Sequence, residues 1–287
     1  MSKDGFVSST IDFASILSPA ALAALKELAL DRGVIDQHAS DSDEEDSKAP
    51  TSLEEMMGGL KNHFQATKIG AKEQIFHVQF GTISFAVKGV KQNFGQTLDS
   101  TGLTIWRAAE NLCEFLMKNP AIMKDRHICE LGGGLGVVSI LVHKTGLASS
   151  VVCTDGDDIS LELLRENAED TDCLEQGMLV EKLFWGEHEK FLAEHPLVDF
   201  ILAADVVYEE EQIEPLLATS VAILKQADAK QRSFSNDTEA RMKPEMLLAY
   251  CRRNVPIDRV YATAERMGLQ HEVINGDVEP IVRLTLK

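Results

Sequence analysis

Apolar and polar positions alternate strictly on either side of Gly81-Thr82. Phe76, Val78 and Phe80 lead in, and Ile83, Phe85 and Val87 lead out. Period two around a two-residue turn predicts a β-hairpin over Gln74 to Gly89. From Thr101 the period lengthens. Ile105, Ala109, Leu112 and Leu116 follow helical spacing beside Trp106, and Pro120 stops the run. Short apolar runs and helical repeats then take turns, with strands expected at 127–131, 150–154, 178–184, 198–204, 245–251, 270–274 and 280–286. Helices are expected at 136–145, 158–169, 209–225 and 257–267. Gln226 to Arg241 is polar and aperiodic, and a mobile loop is expected there. Alternating strands and helices argue for a doubly wound α/β fold, a mostly parallel sheet covered on both faces. Asn275-Gly276-Asp277 between the last two strands predicts an antiparallel ending.

Upstream of the hairpin the pattern is different. Ser18-Pro19 caps an Ala/Leu-rich amphipathic helix ending near Gly33, residues 34–52 are polar and acidic, and 54–61 suit a short helix. The expected organisation is a helical extension with a disordered linker over 1–70, followed by one catalytic domain over 71–287.

The strand at 127–131 runs directly into a glycine turn. Glu130-Leu131 is followed by Gly132, Gly133, Gly134 and Gly136. A glycine-rich turn between strand and helix lets backbone N–H groups approach a ligand closely. Asp155 ends the next strand, nineteen residues beyond Gly136, with Gly156 after it. An acid placed there can accept hydrogen bonds from both hydroxyls of a ribose. A nicotinamide-type G-x-G-x-x-G is ruled out, because Val137 or Ser139 stands where its third glycine is needed.

Other candidates sit at strand ends. Trp185-Gly186 follows the third strand of the domain, where an indole could stack on a base or simply fill a core. Ala204-Asp205-Val-Val-Tyr208 closes the apolar run from Val198. Ligands of open α/β sheets bind outside the carboxyl ends of the strands, so Asp205 and Tyr208 could face one pocket. Asp205 equally suits the cap of the following helix. Trp106 could lie against a cationic ligand or act as a hydrophobic anchor. Asn167 is expected to be structural, and the eight histidines have no metal-ligand spacing.

Charge and cysteine usage narrow the class. The 287 residues carry a net charge of −18, which disfavours nucleic acid and anionic membranes as partners. The acidic run Asp41 to Asp46 reads as a solvated linker. Cysteines at 113, 129, 153, 173 and 251 are odd in number and form no C-x-x-C pair, as in reduced, intracellular proteins. The first residues lack the apolar core of a signal peptide, and no window approaches a membrane span. A cytoplasmic protein is expected, with the nucleus open.

Six motifs now stand in order. They are Thr101-Gly-Leu-Thr-Ile-Trp106-Arg-Ala-Ala, Cys129-Glu-Leu-Gly-Gly-Gly-Leu-Gly136, Thr154-Asp155-Gly, Leu163-Leu-Arg-Glu-Asn167, Phe184-Trp185-Gly and Ala204-Asp205-Val-Val-Tyr208. This series resembles methyltransferase family 16, the seven-strand protein-lysine methyltransferases that include the calmodulin-lysine and elongation-factor-2-lysine enzymes. The likeness runs from about Gln74 to the C-terminus.

The resemblance implies a Rossmann-like seven-stranded sheet with an antiparallel C-terminal strand and S-adenosylmethionine (SAM) as methyl donor. It places Trp106, Glu130, Gly132, Gly133, Gly134, Gly136, Asp155, Gly156, Trp185 and Ala204 at the donor. Asp205 and Tyr208 are placed beside an acceptor lysine, as the catalytic pair. It implies a protein substrate; no metal and a monomer are expected besides. A small-molecule or histidine acceptor, or a catalytically silent SAM-fold adaptor, are the competing readings.

Overall fold

Two sheets organise the chain. The computed structural model describes residues 64–68, 73–91, 101–234, 242–251, 255–276 and 278–287. The helix expected near 18–33, the acidic linker at 34–52 and the short helix at 54–61 lie outside the described residues.

The smaller sheet is the predicted hairpin with one strand added, β1 (Gln65–Lys68), β2 (Glu73–Phe80) and β3 (Ile83–Val90), all antiparallel. Phe80 faces Ile83 across the Gly81-Thr82 turn. α1 (Arg107–Lys118) follows and buries Ala108, Leu112, Cys113 and Leu116 along one stripe. The chain then runs β4 (His127–Leu131), α2 (Val137–Thr145), β5 (Ser150–Asp155), α3 (Asp158–Asp170), β6 (Leu179–Lys182), α4 (Glu189–Glu194), β7 (Phe200–Ala204), α5 (Ile213–Phe234), β8 (Glu245–Ala249), α6 (Ile257–Arg266), β9 (Leu269–Asn275) and β10 (Ile281–Leu286).

These seven later strands form one sheet in the order β6-β5-β4-β7-β8-β10-β9. β6 to β8 are parallel, while β10 runs against both β8 and β9. The antiparallel ending is as expected.

Strict alternation within the strands explains why both faces are covered. In β7, Phe200 and Leu202 join the core beneath α1–α3 and the hairpin, while Ile201 and Ala203 join the core beneath α4–α6. From the central strand β4 the chain goes to β5 and β6 on one side, then returns to β7 on the other. Ligand crevices form at such a switch point, outside the carboxyl ends of the strands.

Asn167 is the clamp between the two sheets. Its side chain accepts the Lys88 N–H at 2.8 Å and donates to the carbonyls of Lys88 (3.0 Å) and Leu135 (3.2 Å).

The structure corrects several expectations. The helix expected at 209–225 begins only at Ile213, after a 3₁₀ turn over Glu210–Gln212. It then continues to Phe234, so residues 226–234 are helix and not the expected loop; 235–241 lie outside the described residues. Tertiary contacts extend it. Ala227 prolongs the buried face of Leu224, Gln226 donates to the Leu192 carbonyl at 2.8 Å, and Gln231 donates to the Asp199 carboxylate at 3.4 Å.

β6 is shorter than its predicted run of 178–184, because Leu183 to Trp185 leave the sheet towards the crevice. Two elements, one α-helix and one strand, were not anticipated, besides the 3₁₀ turn Pro120–Met123. α4 buries only Phe191, and β1 has four residues, so neither leaves a readable period.

Candidate active site

β4 ends at Leu131 because the backbone turns into the left-handed region at Gly132 (φ +71) and Gly134 (φ +53), where a Cβ is strained. There is also no room for one. A Cβ on Gly132 would stand 2.8 Å from Val206 Cγ1 and 3.1 Å from Trp185, and one on Gly134 would stand 2.9 Å from the Gly102 carbonyl. The turn is therefore pressed between the loop after β7 and the segment leading into α1. At the end of β5, Asp155 braces it. One carboxylate oxygen accepts the Gly134 N–H at 2.9 Å, and the other accepts the Asp157 N–H at 3.0 Å. Burial pushes the Asp155 carboxyl up, and these backbone bonds oppose the shift.

A cavity of about 510 Å³ opens above the turn. Trp106, Glu130, Gly132, Gly133, Gly134, Asp155, Gly156, Trp185, Ala204, Asp205 and Tyr208 all line it. Gly136 is not among the lining residues. It opens α2, where the space of its Cβ is taken by Leu164 at 2.3 Å.

Glu130 forms the floor and is 2% exposed. Its carboxylate accepts the Ser139 N–H at 2.9 Å and the Ser139 hydroxyl. Burial pushes its pKa up to about 7 against those bonds. Trp106 precedes α1, and its indole N–H donates to the Thr101 carbonyl at 3.0 Å. The loop that bears Trp106 is thereby folded over the cavity.

At the opposite wall Asp205 is buried and takes φ +58, an uncommon conformation that aspartate tolerates better than most residues. Its N–H donates to the Ala249 carbonyl at 3.0 Å. The helix-cap alternative fails on position. Glu209 precedes the 3₁₀ turn and α5 begins at Ile213, so Asp205 caps neither. Tyr208 is half-buried, and its hydroxyl accepts from Gln212 Nε2 at 3.4 Å.

Gln212, Phe184 and Gly102 also line the cavity and were not singled out as site residues. Phe184 lies within the quoted Phe-Trp-Gly motif. It is half exposed, approaches Gly156 and carries the Lys182 ammonium 5.0 Å from its ring centre. Gln212 left no trace beyond its place four residues after Tyr208. Away from the cavity, His195 Nε2 meets Glu181 Oε2 at 2.8 Å with Glu194 close by.

The residues present fit an adenosyl methyl donor. Backbone without side chains, a braced carboxylate and two indoles line one crevice at a switch point.

A family model described as lysine methyltransferase matches residues 90–243, more than half of the chain. The chain belongs to the lysine methyltransferase family. Within it, the chain is 34% identical over 140 residues to protein N-lysine methyltransferase METTL21A of Xenopus tropicalis, covering 48% of this chain and 61% of that protein. It is 33% identical over 130 residues to protein-lysine N-methyltransferase EFM3 of Chaetomium thermophilum, covering 42% and 38%. A third relative, histone-arginine methyltransferase METTL23 of Xenopus laevis, is 30% identical over 120 residues, covering 41% and 50%. The chain thus spans less than two thirds of the length of each of these relatives.

Proposed function

We propose that this chain transfers a methyl group from SAM to the side-chain amine of a lysine in a protein. One observation carries the reading. Asp205 and Tyr208, from the end of β7, line the same cavity as the glycine turn and Asp155, from the ends of β4 and β5. When bound, SAM supplies an already activated methyl carbon, so the chain needs no covalent nucleophile.

The glycine turn and Asp155 would hold the nucleoside and amino-acid ends, with Trp185 flanking the base and Trp106 closing over the donor. Such positioning is worth up to about 7–11 kcal/mol in favourable cases. The acceptor amine must be neutral to react, although its ordinary pKa is about 10.4. Desolvation and a neighbouring cation favour loss of its proton, whereas a carboxylate favours keeping it. Asp205 accordingly docks and orients the incoming ammonium, and water takes the proton.

A second reading concerns the acceptor side chain. METTL23 is named for arginine, so a guanidinium acceptor is the alternative that a relative favours. The charge of −18 argues for a protein acceptor over nucleic acid. Among the described residues no helix is long and apolar enough to cross a membrane. Five buried cysteines outside any disulfide suit the reducing cytoplasm, and we take the chain to act as a monomer whose catalytic domain spans 71–287.

The test begins with cell extract and methyl-labelled SAM, followed by mass mapping of the labelled residue. A labelled lysine is expected; a labelled arginine would favour the second reading. Single-turnover transfer to that protein should then fall about a hundredfold in Asp205→Asn, the equivalent of roughly 3 kcal/mol. SAM affinity should change little in that variant, whereas Asp155→Ala should weaken it. Full transfer by Asp205→Asn would remove the main support for this reading.

A further inference from the structure

Glu130 is a carboxyl with one oxygen spent and the other open. Oε2 accepts three hydrogen bonds, from the Ser139 N–H, the Ser139 hydroxyl and, at 3.5 Å, the Cys153 thiol. Oε1 accepts none, yet it is not sealed, and the 2% of surface that Glu130 keeps lies on the cavity lining. Among the described residues no lysine, arginine or histidine pairs with this carboxyl. The titratable groups around it offer no cation either. They are Cys153 and Asp155 on β5, Cys113 on α1 and Cys129 on β4 itself. A buried carboxylate without a cation is costly, and burial accordingly raises the pKa to about 7. Three donors converge on Oε2, so the proton of the acid form belongs on Oε1, the oxygen open to the cavity.

We propose that Glu130 Oε1 is the seat of the α-ammonium at the amino-acid end of the donor, and that the donor binds there in exchange for a proton. This rests on the SAM reading above. An ammonium N–H and the acid proton compete for one oxygen. When the donor arrives, the O–H bond at Oε1 breaks and its proton passes to solvent. The N–H takes its place in a charge-assisted hydrogen bond. The ammonium, not the sulfonium, is the group selected, because only the ammonium has hydrogens to donate. Position agrees, since Glu130 lies beneath the glycine turn at the end of β4, while Asp155 at the end of β5 is left for the ribose. Donor affinity therefore climbs with pH below about 7 and levels off above it.

Isothermal titration of the full chain in two buffers of different ionisation enthalpy counts the protons. The ligand is S-adenosylhomocysteine, which keeps the ammonium and lacks the sulfonium. Close to one proton should leave per ligand at about pH 6 and close to none at about pH 8, with affinity rising about tenfold between them. Glu130→Gln has no proton to exchange, so it should release none at either pH and bind with a flat profile. 5′-Methylthioadenosine, which lacks the amino-acid end, should release none from the wild type. That comparison of ligands holds even if the glutamine variant melts early. Binding of S-adenosylhomocysteine without proton release at pH 6 would overturn the proposal while the SAM reading stands. So would release that survives Glu130→Gln, or release that methylthioadenosine matches. If neither SAM nor S-adenosylhomocysteine binds, the SAM reading itself fails, and the role of Glu130 falls with it.

Discussion

Glu130 is the residue on which burial and function pull hardest against each other. Its carboxyl is sealed beneath the glycine turn with Ser139 as donor, and burial raises its pKa from an ordinary 4.5 to about 7. The folded chain therefore holds this proton more tightly than the unfolded one. The stabilisation is fully present below about pH 4.5 and is lost as the pH rises to about 7, on the order of 3 kcal/mol in total. Glu130→Gln cannot ionise and keeps an oxygen for the Ser139 N–H. Melting of the ligand-free proteins between about pH 5 and pH 8 should show the wild type losing stability relative to the variant. Parallel curves would mean that Glu130 titrates as an ordinary carboxylate. The residue's place beside the turn is legible in Glu130-Leu131-Gly132, but its protonation is not, because burial is a property of the packed domain.

At the scale of elements, the question is what fixes the hairpin to the methyltransferase-type sheet. Lys88 on β3 pairs with Glu166 and Asp170 on α3, but all three groups are largely exposed. Such surface pairs are worth about 0–1 kcal/mol. The fully buried Asn167 amide serves both backbone groups of Lys88 and the Leu135 carbonyl next to the glycine turn. Asn167→Ala would leave the buried Leu135 carbonyl unpaired, at about 1–3 kcal/mol, and strip both part-buried backbone groups of Lys88 of their partner. Thermal melting should therefore find Asn167→Ala far less stable than Lys88→Ala. Equal losses from the two variants would refute the clamp. Since Leu135 follows the glycine turn and lines the cavity, donor affinity should fall in the asparagine variant as well.

For the molecule as a whole, charge is the dominant long-range feature. At −18 the chain would attract a basic protein acceptor of the proposed reaction over a distance that salt shortens to about 10 Å at 0.1 M. The kcat/KM for the identified acceptor should fall as salt rises, while SAM affinity is less affected. A profile flat with salt would remove steering from the account.

The division between sequence and tertiary structure follows the range of the forces involved. Repeats of period two and period 3.6 report which face of an element is buried, so the hairpin, α1 to α3 and β4, β5 and β7 could be read within a residue or two. The glycine turn and Asp155 were equally legible, since backbone approach and strand ends leave local marks. Four things were decided only by packing. Asp205 could have been a cap or a cavity residue until α5 was seen to start eight positions later. Gly136 belongs to the turn by spacing but to the helix by its contact with Leu164. The last turns of α5 look polar because their partners, Leu192 and Asp199, come from distant elements. Gln212 became part of the site only when Tyr208 and the cavity wall came together around it. Local pattern specifies which elements form, whereas the meaning of a polar side chain depends on what the fold places opposite it.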